Sequence, residues 1–177
     1  MLSEELVQTF HRLMAEAEAA GETDANAMNL STAQADGRVS SRIVLMKQLD
    51  TRGFVFYTNL DSDKGRQLRA HPRAALCFHW KRLRDGVQVR VEGRVETVAD
   101  AEADAYFASR PRESQLGAWA SQQSQTLPDR ATFEARYAEA EQRYANAPVP
   151  RPPHWSGQRV VPDLIEFWYG VPFRLHE

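Results

Sequence analysis

The 177-residue chain reads as mainly β with flanking helices, an α+β fold whose strands form an antiparallel barrel or sandwich. Three observations predict this. Strand-like runs crowd residues 27–98 and are separated by short turn signals. Helical periods open the chain and return after residue 99. A 42% hydrophobic composition with formal net charge −2 supplies the core of one domain, residues 1–177, with no disulfide or metal staple.

Ser3 to Ala20 has Leu6, Phe10, Leu13, Met14 and Ala17 at helical spacing, with Ser3 as N-cap and Gly21 as stop. Ala27–Thr32 is extended, and Ala35-Asp36-Gly37 is a turn. Arg38–Leu49, Gly53–Thr58, Ala74–Trp80 and Val87–Val98 are the next strands, the last alternating Val89 and Val91 with Arg90 and Glu92. Lys64–Ala70 is a short helix. Asp100–Ser109, capped by Asp100, and Arg112–Ser121, after Pro111, are two more. Pro128–Ala145 is a long solvated helix with Phe133, Tyr137 and Tyr144 inward. Pro148–Pro153 is a stiff connector, and strands around Leu164–Trp168 and Phe173–His176 close the chain.

Composition excludes several functions. The one cysteine, Cys77, lies in Ala-Ala-Leu-Cys-Phe and reads as a buried core thiol; it forms no internal disulfide. His11, His71, His79, His154 and His176 lack metal spacing. Near-neutral charge gives no nucleic-acid signature. No apolar run approaches a membrane span, and the acidic start is unlike a signal peptide, so a soluble cytoplasmic protein is expected.

The chemistry lies in less stereotyped groups. Arg42-Ile43-Val44-Leu45-Met46-Lys47 is either a core strand with charged ends or a pair of phosphate-gripping cations. Positions five apart face opposite sides of a regular strand, so one ligand reaches both only if the strand bulges or the ligand wraps its end. Tyr57-Thr58-Asn59-Leu60-Asp61-Ser62-Asp63-Lys64 runs from a strand into a helix N-terminus, where Ser62 is an N-cap or an anion ligand. Tyr106 and Arg110, four apart, share a helix face, with Ser114 a turn later. These form an anion cradle or an exposed polar helix end. Trp119-Ala120-Ser121-Gln122-Gln123-Ser124 is a hydrogen-bonding segment or a polar loop. Arg174 and His176 share a strand face.

Taken in order, Asn26-Ala27-Met28, Arg42–Lys47, Phe56-Tyr57-Thr58-Asn59, Ser109-Arg110-Pro111-Arg112-Glu113-Ser114-Gln115-Leu116-Gly117-Ala118-Trp119, Ile165-Glu166-Phe167-Trp168 and Arg174-Leu175-His176 resemble the pyridoxamine 5′-phosphate oxidase family over nearly the whole chain. The Ser-Arg-Pro-Arg-Glu-Ser-Gln stretch and the Arg-Leu-His ending are the specific parts. The resemblance implies an FMN-binding split β-barrel, a homodimer with FMN at the interface. It implies FMN contacts from Arg42, Ile43, Val44, Leu45, Met46, Lys47, Tyr57, Thr58, Ser62, Lys64, Gln88, Gln123, Ser124 and Trp168. Lys47, Tyr106, Arg110 and Ser114 would hold the substrate phosphate. Arg174 and His176 would cover the pyridine ring as the catalytic pair, positioning it rather than acting as a strong base. The implied reaction oxidises pyridoxine or pyridoxamine 5′-phosphate to pyridoxal 5′-phosphate, with hydride passing from C4′ to flavin N5 and dioxygen yielding hydrogen peroxide.

Three departures stand out. Asp63 replaces the family's usual Arg beside the FMN phosphate and is expected to point away or weaken that contact. Arg84-Asp85-Gly86-Val87 is longer than the usual approach to Gln88. The family's FMN-binding Arg beyond the Arg-Leu-His motif is absent from the sequence, so reduced FMN affinity is expected. The competing resemblances are an FMN oxidase of phenazine-type biosynthesis and a non-catalytic FMN or pyridoxal phosphate binder.

Overall fold

Ser3 accepts a hydrogen bond from the Leu6 amide at 3.2 Å and starts helix α1 (Glu4–Ala19); Gly21, at φ +88°, ends it. Phe10, Leu13 and Ala17 are the buried stripe, and Leu6 and Met14 are half-buried beside it. The structure is a computed structural model that describes residues 1–171. The predicted strand Phe173–His176, with Arg174 and His176, therefore lies outside the described residues.

The remaining elements follow in order. They are β1 (Ala27–Ala33), β2 (Val39–Leu45), β3 (Gln48–Asp50), β4 (Gly53–Asn59), α2 (Asp63–Ala70), β5 (Arg73–Trp80), β6 (Val87–Thr97), α3 (Asp100–Ser109), α4 (Arg112–Ala120), α5 (Arg130–Arg143) and β7 (Trp155–Tyr169). Among the described residues, seven strands form one sheet in the order β2-β1-β5-β6-β7-β4-β3. The β1–β2, β1–β5, β3–β4 and β5–β6 pairs are antiparallel. Gly53 and Gly93 flank β7. A Cβ on either would lie 2.1 Å from the carbonyl oxygen of Val160 or Val161, so only glycine fits there.

The chain packs into two compact units. The first comprises Met1–Phe56, Gln67–Glu96 and the residues from Gln158 on. Its core gathers Phe10, Leu13, Leu30, Phe54, Phe56, Leu76, Phe78, Trp80 and the inward valines of β6. The second comprises Tyr57–Arg66 and Thr97–Gly157, with a core of Phe107, Leu116, Ala140, Tyr144, Val149 and Trp155.

Several expectations are corrected. The run Arg38–Leu49 is two strands, broken at Met46 and Lys47, where the Asn26 amide holds the Met46 carbonyl at 3.0 Å. Asp100 does not cap α3: Ala99 occupies the cap position without a side-chain bond, and Asp100 instead pairs with Arg151. Asp129, through the Thr132 amide at 2.7 Å, caps α5, which is shorter than expected. Tyr144 is buried just past its end, whereas Phe133 and Tyr137 are half-buried. Cys77 is not a core thiol. The inward positions of β5 are Ala74, Leu76, Phe78 and Trp80, so strand alternation turns Cys77 to the opposite face, half-buried. Leu164–Trp168 is the end of a 15-residue strand that starts at Trp155.

Candidate functional site

In the second unit, three rings form a slab. Tyr57 stacks on Tyr106, at a centroid distance of 3.9 Å, and on Trp155, at 5.1 Å, with interplanar angles of 14° and 13°. Gly157 makes room for this: a Cβ there would meet Tyr57 Cε1 at 2.8 Å. The Arg110 guanidinium stands 4.9 Å from the Trp155 centroid and 5.7 Å from that of Phe107. Its Nη1 is buried with no hydrogen-bond partner among the described residues. Burial lowers the Arg110 pKa, with the nearby Tyr106 opposing, and raises that of the Tyr106 phenol, with Arg110 opposing. A partly desolvated guanidinium with an unused N–H is a receptor for an anionic oxygen.

Arg110 and Tyr106 do not share a helix face. α3 ends at Ser109, and Arg110 caps it in extended conformation before Pro111 starts α4. The break between the two helices puts Arg110 over the Trp155 ring. Ser114 is half-buried in the first turn of α4.

The β4–α2 loop is the second cluster of this unit. Ser62, fully buried, donates to the Asn59 carbonyl at 2.6 Å and accepts from the Gly65 amide at 3.3 Å. Lys64 Nζ reaches the same hydroxyl at 3.4 Å. One donor and two acceptor positions are thereby engaged, so Ser62 serves as the helix cap. Buried Lys64 also donates to Gln123 Oε1 at 3.0 Å, and Thr58 donates to that oxygen at 3.3 Å. Ser124, next to Gln123, holds φ +66° in the exposed loop. Asp63 is exposed and pairs with Arg66, away from buried Lys64.

The other predicted residues lie in the first unit. Arg42 donates to Thr32 Oγ1 at 2.6 Å, to the Leu30 carbonyl at 3.2 Å and to Gln67 Oε1 at 3.4 Å. Ile43 and Leu45 are exposed, Val44 packs against the core and Met46 is buried. Lys47 is exposed in the break between β2 and β3; that break removes the five-residue parity conflict with Arg42. Gln88, half-buried on β6, accepts a weak contact from Cys77 Sγ at 3.9 Å; Trp168 is half-buried on β7. Sequence reasoning missed Trp155, Thr32 and Gln67. Trp155 follows a proline run with no periodic signal, and Gln67 reads as an ordinary polar helix position.

A family model described as pyridoxamine 5′-phosphate oxidase matches residues 14–144, and one described as the pyridoxine 5′-phosphate oxidase C-terminal dimerisation region matches residues 155–177. The pyridoxine/pyridoxamine 5′-phosphate oxidase of Myxococcus xanthus strain DK1622 is 60% identical over 177 residues, covering 100% of this chain and 85% of the relative. The protein of the same name from Xanthomonas oryzae pv. oryzae is 58% identical over 174 residues, 98% of this chain and 87% of the relative. Among solved structures, PhzG from Burkholderia lata 383 in complex with tetrahydrophenazine-1-carboxylic acid superposes with TM-score 0.89 at 32% identity, over 96% of this chain and 82% of that one. A pyridoxamine 5′-phosphate oxidase-related, FMN-binding protein from Nostoc punctiforme shares the fold, with TM-score 0.75 at 16% identity over 95% and 86% of the chains.

Proposed function

The chain belongs to the pyridoxamine 5′-phosphate oxidase family, and from that premise we propose that it oxidises pyridoxine or pyridoxamine 5′-phosphate to pyridoxal 5′-phosphate. FMN is the cofactor. The observation that carries the substrate reading is the buried, unpartnered Nη1 of Arg110 above the Trp155 ring. A phosphate ester brings oxygens that satisfy it, and the stacked phenol of Tyr106 lies beside the same guanidinium.

The donor set suits FMN as well. A buried lysine at a helix start, beside Thr58 and Gln123, is suited to a phosphate or a polar ring edge. When bound, FMN supplies the two-electron chemistry that removes hydride from substrate C4′ and delivers the electrons to dioxygen, giving hydrogen peroxide. The protein's part is to bind and orient. Arg110 neutralises the substrate phosphate, and Tyr106 borders it. Lys64, Thr58, Gln123, Arg42, Lys47, Gln88 and Trp168 are assigned to FMN by motif. Arg174 and His176 are assigned to the pyridine ring by motif alone. With the amine substrate, water then displaces ammonia at the oxidised carbon. The match of residues 155–177 to a dimerisation region supports a homodimer as the working form. No helix among the described residues is long and apolar enough to cross a membrane.

A second reading has one specific support. The PhzG structure, a complex with tetrahydrophenazine-1-carboxylic acid, covers almost the whole chain, and Arg110 is able to take a carboxylate. The absorption spectrum of the FMN-loaded protein under anaerobic conditions separates the readings. Bleaching by pyridoxine 5′-phosphate, with colour and peroxide returning on air, is expected. Bleaching only by a reduced phenazine carboxylate supports the second reading. Flavin that neither reduces identifies a non-catalytic binder.

A further inference from the structure

Arg151 lies in the Pro148–Pro153 connector, and its side chain is 13% exposed. All three of its guanidinium nitrogens are used. Nε donates to Asp104 at 2.5 Å, Nη2 to Asp100 at 2.7 Å and Nη1 to the backbone carbonyl of Trp155 at 2.9 Å. Asp100 and Asp104 are four apart on α3 and so lie on one helix face. One side chain therefore ties the first turns of α3 to the residue whose indole carries Arg110.

The two arginines differ in kind. Arg151 has each guanidinium nitrogen engaged, by two carboxylates and a carbonyl. Arg110 is partly desolvated, with an unused N–H, 4.9 Å from the Trp155 centroid. A half-buried cation with a buried, unused N–H turns towards water or an alternative acceptor unless its surroundings are fixed. The surroundings are fixed from opposite sides: α3 delivers Arg110 at its C-terminal end, and β7 delivers Trp155 at its first residue. Arg151 joins these elements directly. A lysine would reach one or two of the three acceptors but would not span all with a planar fork.

We propose that Arg151 is a positioning residue of the substrate-phosphate site, fixing Trp155 against α3 so that Arg110 is presented to the phosphate with its N–H free. The proposal rests on the reading of Arg110 as the phosphate ligand.

The test compares FMN-loaded wild type with Arg151→Gln, Arg151→Lys and Asp104→Asn in steady-state turnover of pyridoxine 5′-phosphate. For Arg151→Gln, KM rises about tenfold while kcat stays within about twofold and the flavin content is unchanged. Arg151→Lys recovers part of the loss. Asp104→Asn, on the exposed side of the bridge, raises KM about threefold. An unchanged KM in Arg151→Gln overturns the proposal, as does a joint fall of kcat and flavin content in both Arg151→Gln and Asp104→Asn. If Arg151→Gln does not fold, Asp104→Asn decides, and an unmoved KM there overturns it. A wild type inactive on both B6 phosphate esters overturns the underlying reading and this proposal together; an active wild type with unmoved variants overturns this proposal alone.

Discussion

The two hydrophobic cores use their aromatic rings in opposite ways. In the first unit, Phe10 meets Phe54, Phe78 and Trp80 edge-on, at interplanar angles of 80°, 73° and 61°. The Trp80 N–H is satisfied by the Ala25 carbonyl at 2.8 Å. Rings packed edge to face interlock in three dimensions, and that core leaves these rings no open face. In the second unit, Tyr57, Tyr106 and Trp155 lie nearly parallel, Tyr106 and Trp155 at an interplanar angle of 0°, with an arginine over the indole. A parallel slab ends in a face, and here a partly desolvated cation occupies it. The difference separates a core that only stabilises from one that stabilises and also presents a charge to a ligand.

The largest effect that sharpens this contrast belongs to the first core. Phe78→Ala removes a fully buried ring touching Phe10, Phe54 and Trp80. It is expected to destabilise by about 3–5 kcal/mol in urea unfolding while leaving KM of the folded enzyme unchanged. Arg110→Met is the complementary case. A hydrogen bond to a charged group is worth about 1.5–3 kcal/mol, so KM for the phosphate ester rises about 10- to 100-fold. Its Tm is unchanged or higher, because a buried unsatisfied donor disappears. An Arg110→Met protein that unfolds several degrees earlier would make Arg110 a structural residue and erase the contrast.

These cores were not equally legible in the sequence. Phe10, Phe54, Phe78 and Trp80 sit on elements with clean periods, α1, β4 and β5, and their inward facing follows from that period. The break at Met46 and Lys47 carries no glycine or proline to mark it, and the Asn26 amide that holds it lies 20 residues upstream. Tyr106 and Arg110 were readable as neighbours, but not the slab. Its third ring, Trp155, follows a proline-rich connector and opens a strand whose next buried residues include Ser156, Gln158 and Arg159. A polar buried run defeats hydrophobic patterning. Arg151 was equally hidden, because its carboxylate partners stand 47 and 51 positions earlier on a helix that reads as solvated there. At Ser62 the hydroxyl donates to the Asn59 carbonyl and accepts from the Gly65 amide, the pattern of a helix cap, which the sequence offered as one of two readings.

A smaller effect tests whether the slab's stacking matters. A Cβ at Gly157 would come 2.7 Å from Val98 Cγ2 and 2.8 Å from Tyr57 Cε1. Gly157→Ala therefore displaces the Tyr57 ring, which stacks on both Tyr106 and Trp155. Overpacking of this kind costs about 1–3 kcal/mol, and a several-fold rise in KM is expected alongside the lower Tm. A variant with the stability loss but native KM would show that phosphate binding does not depend on the stack.

The smallest effect is electrostatic and comes from the phenol of Tyr106. Burial raises the Tyr106 pKa above the ordinary phenol value of about 10, and the Arg110 charge opposes this only in part. A raised folded pKa means that the native state holds the proton more tightly than the unfolded chain. The associated stability is fully present below pH about 10 and is lost as pH rises through the folded value. Tyr106 is partly exposed, so solvent keeps the contribution small. The rings of the first core that replace it in the comparison carry no titrating group. Urea unfolding at pH 8 and pH 11 should show a steeper alkaline loss in wild type than in Tyr106→Phe. Equal slopes would mean that the phenol is solvated as in the unfolded chain, and that the slab's face is open to water up to the ring that borders Arg110.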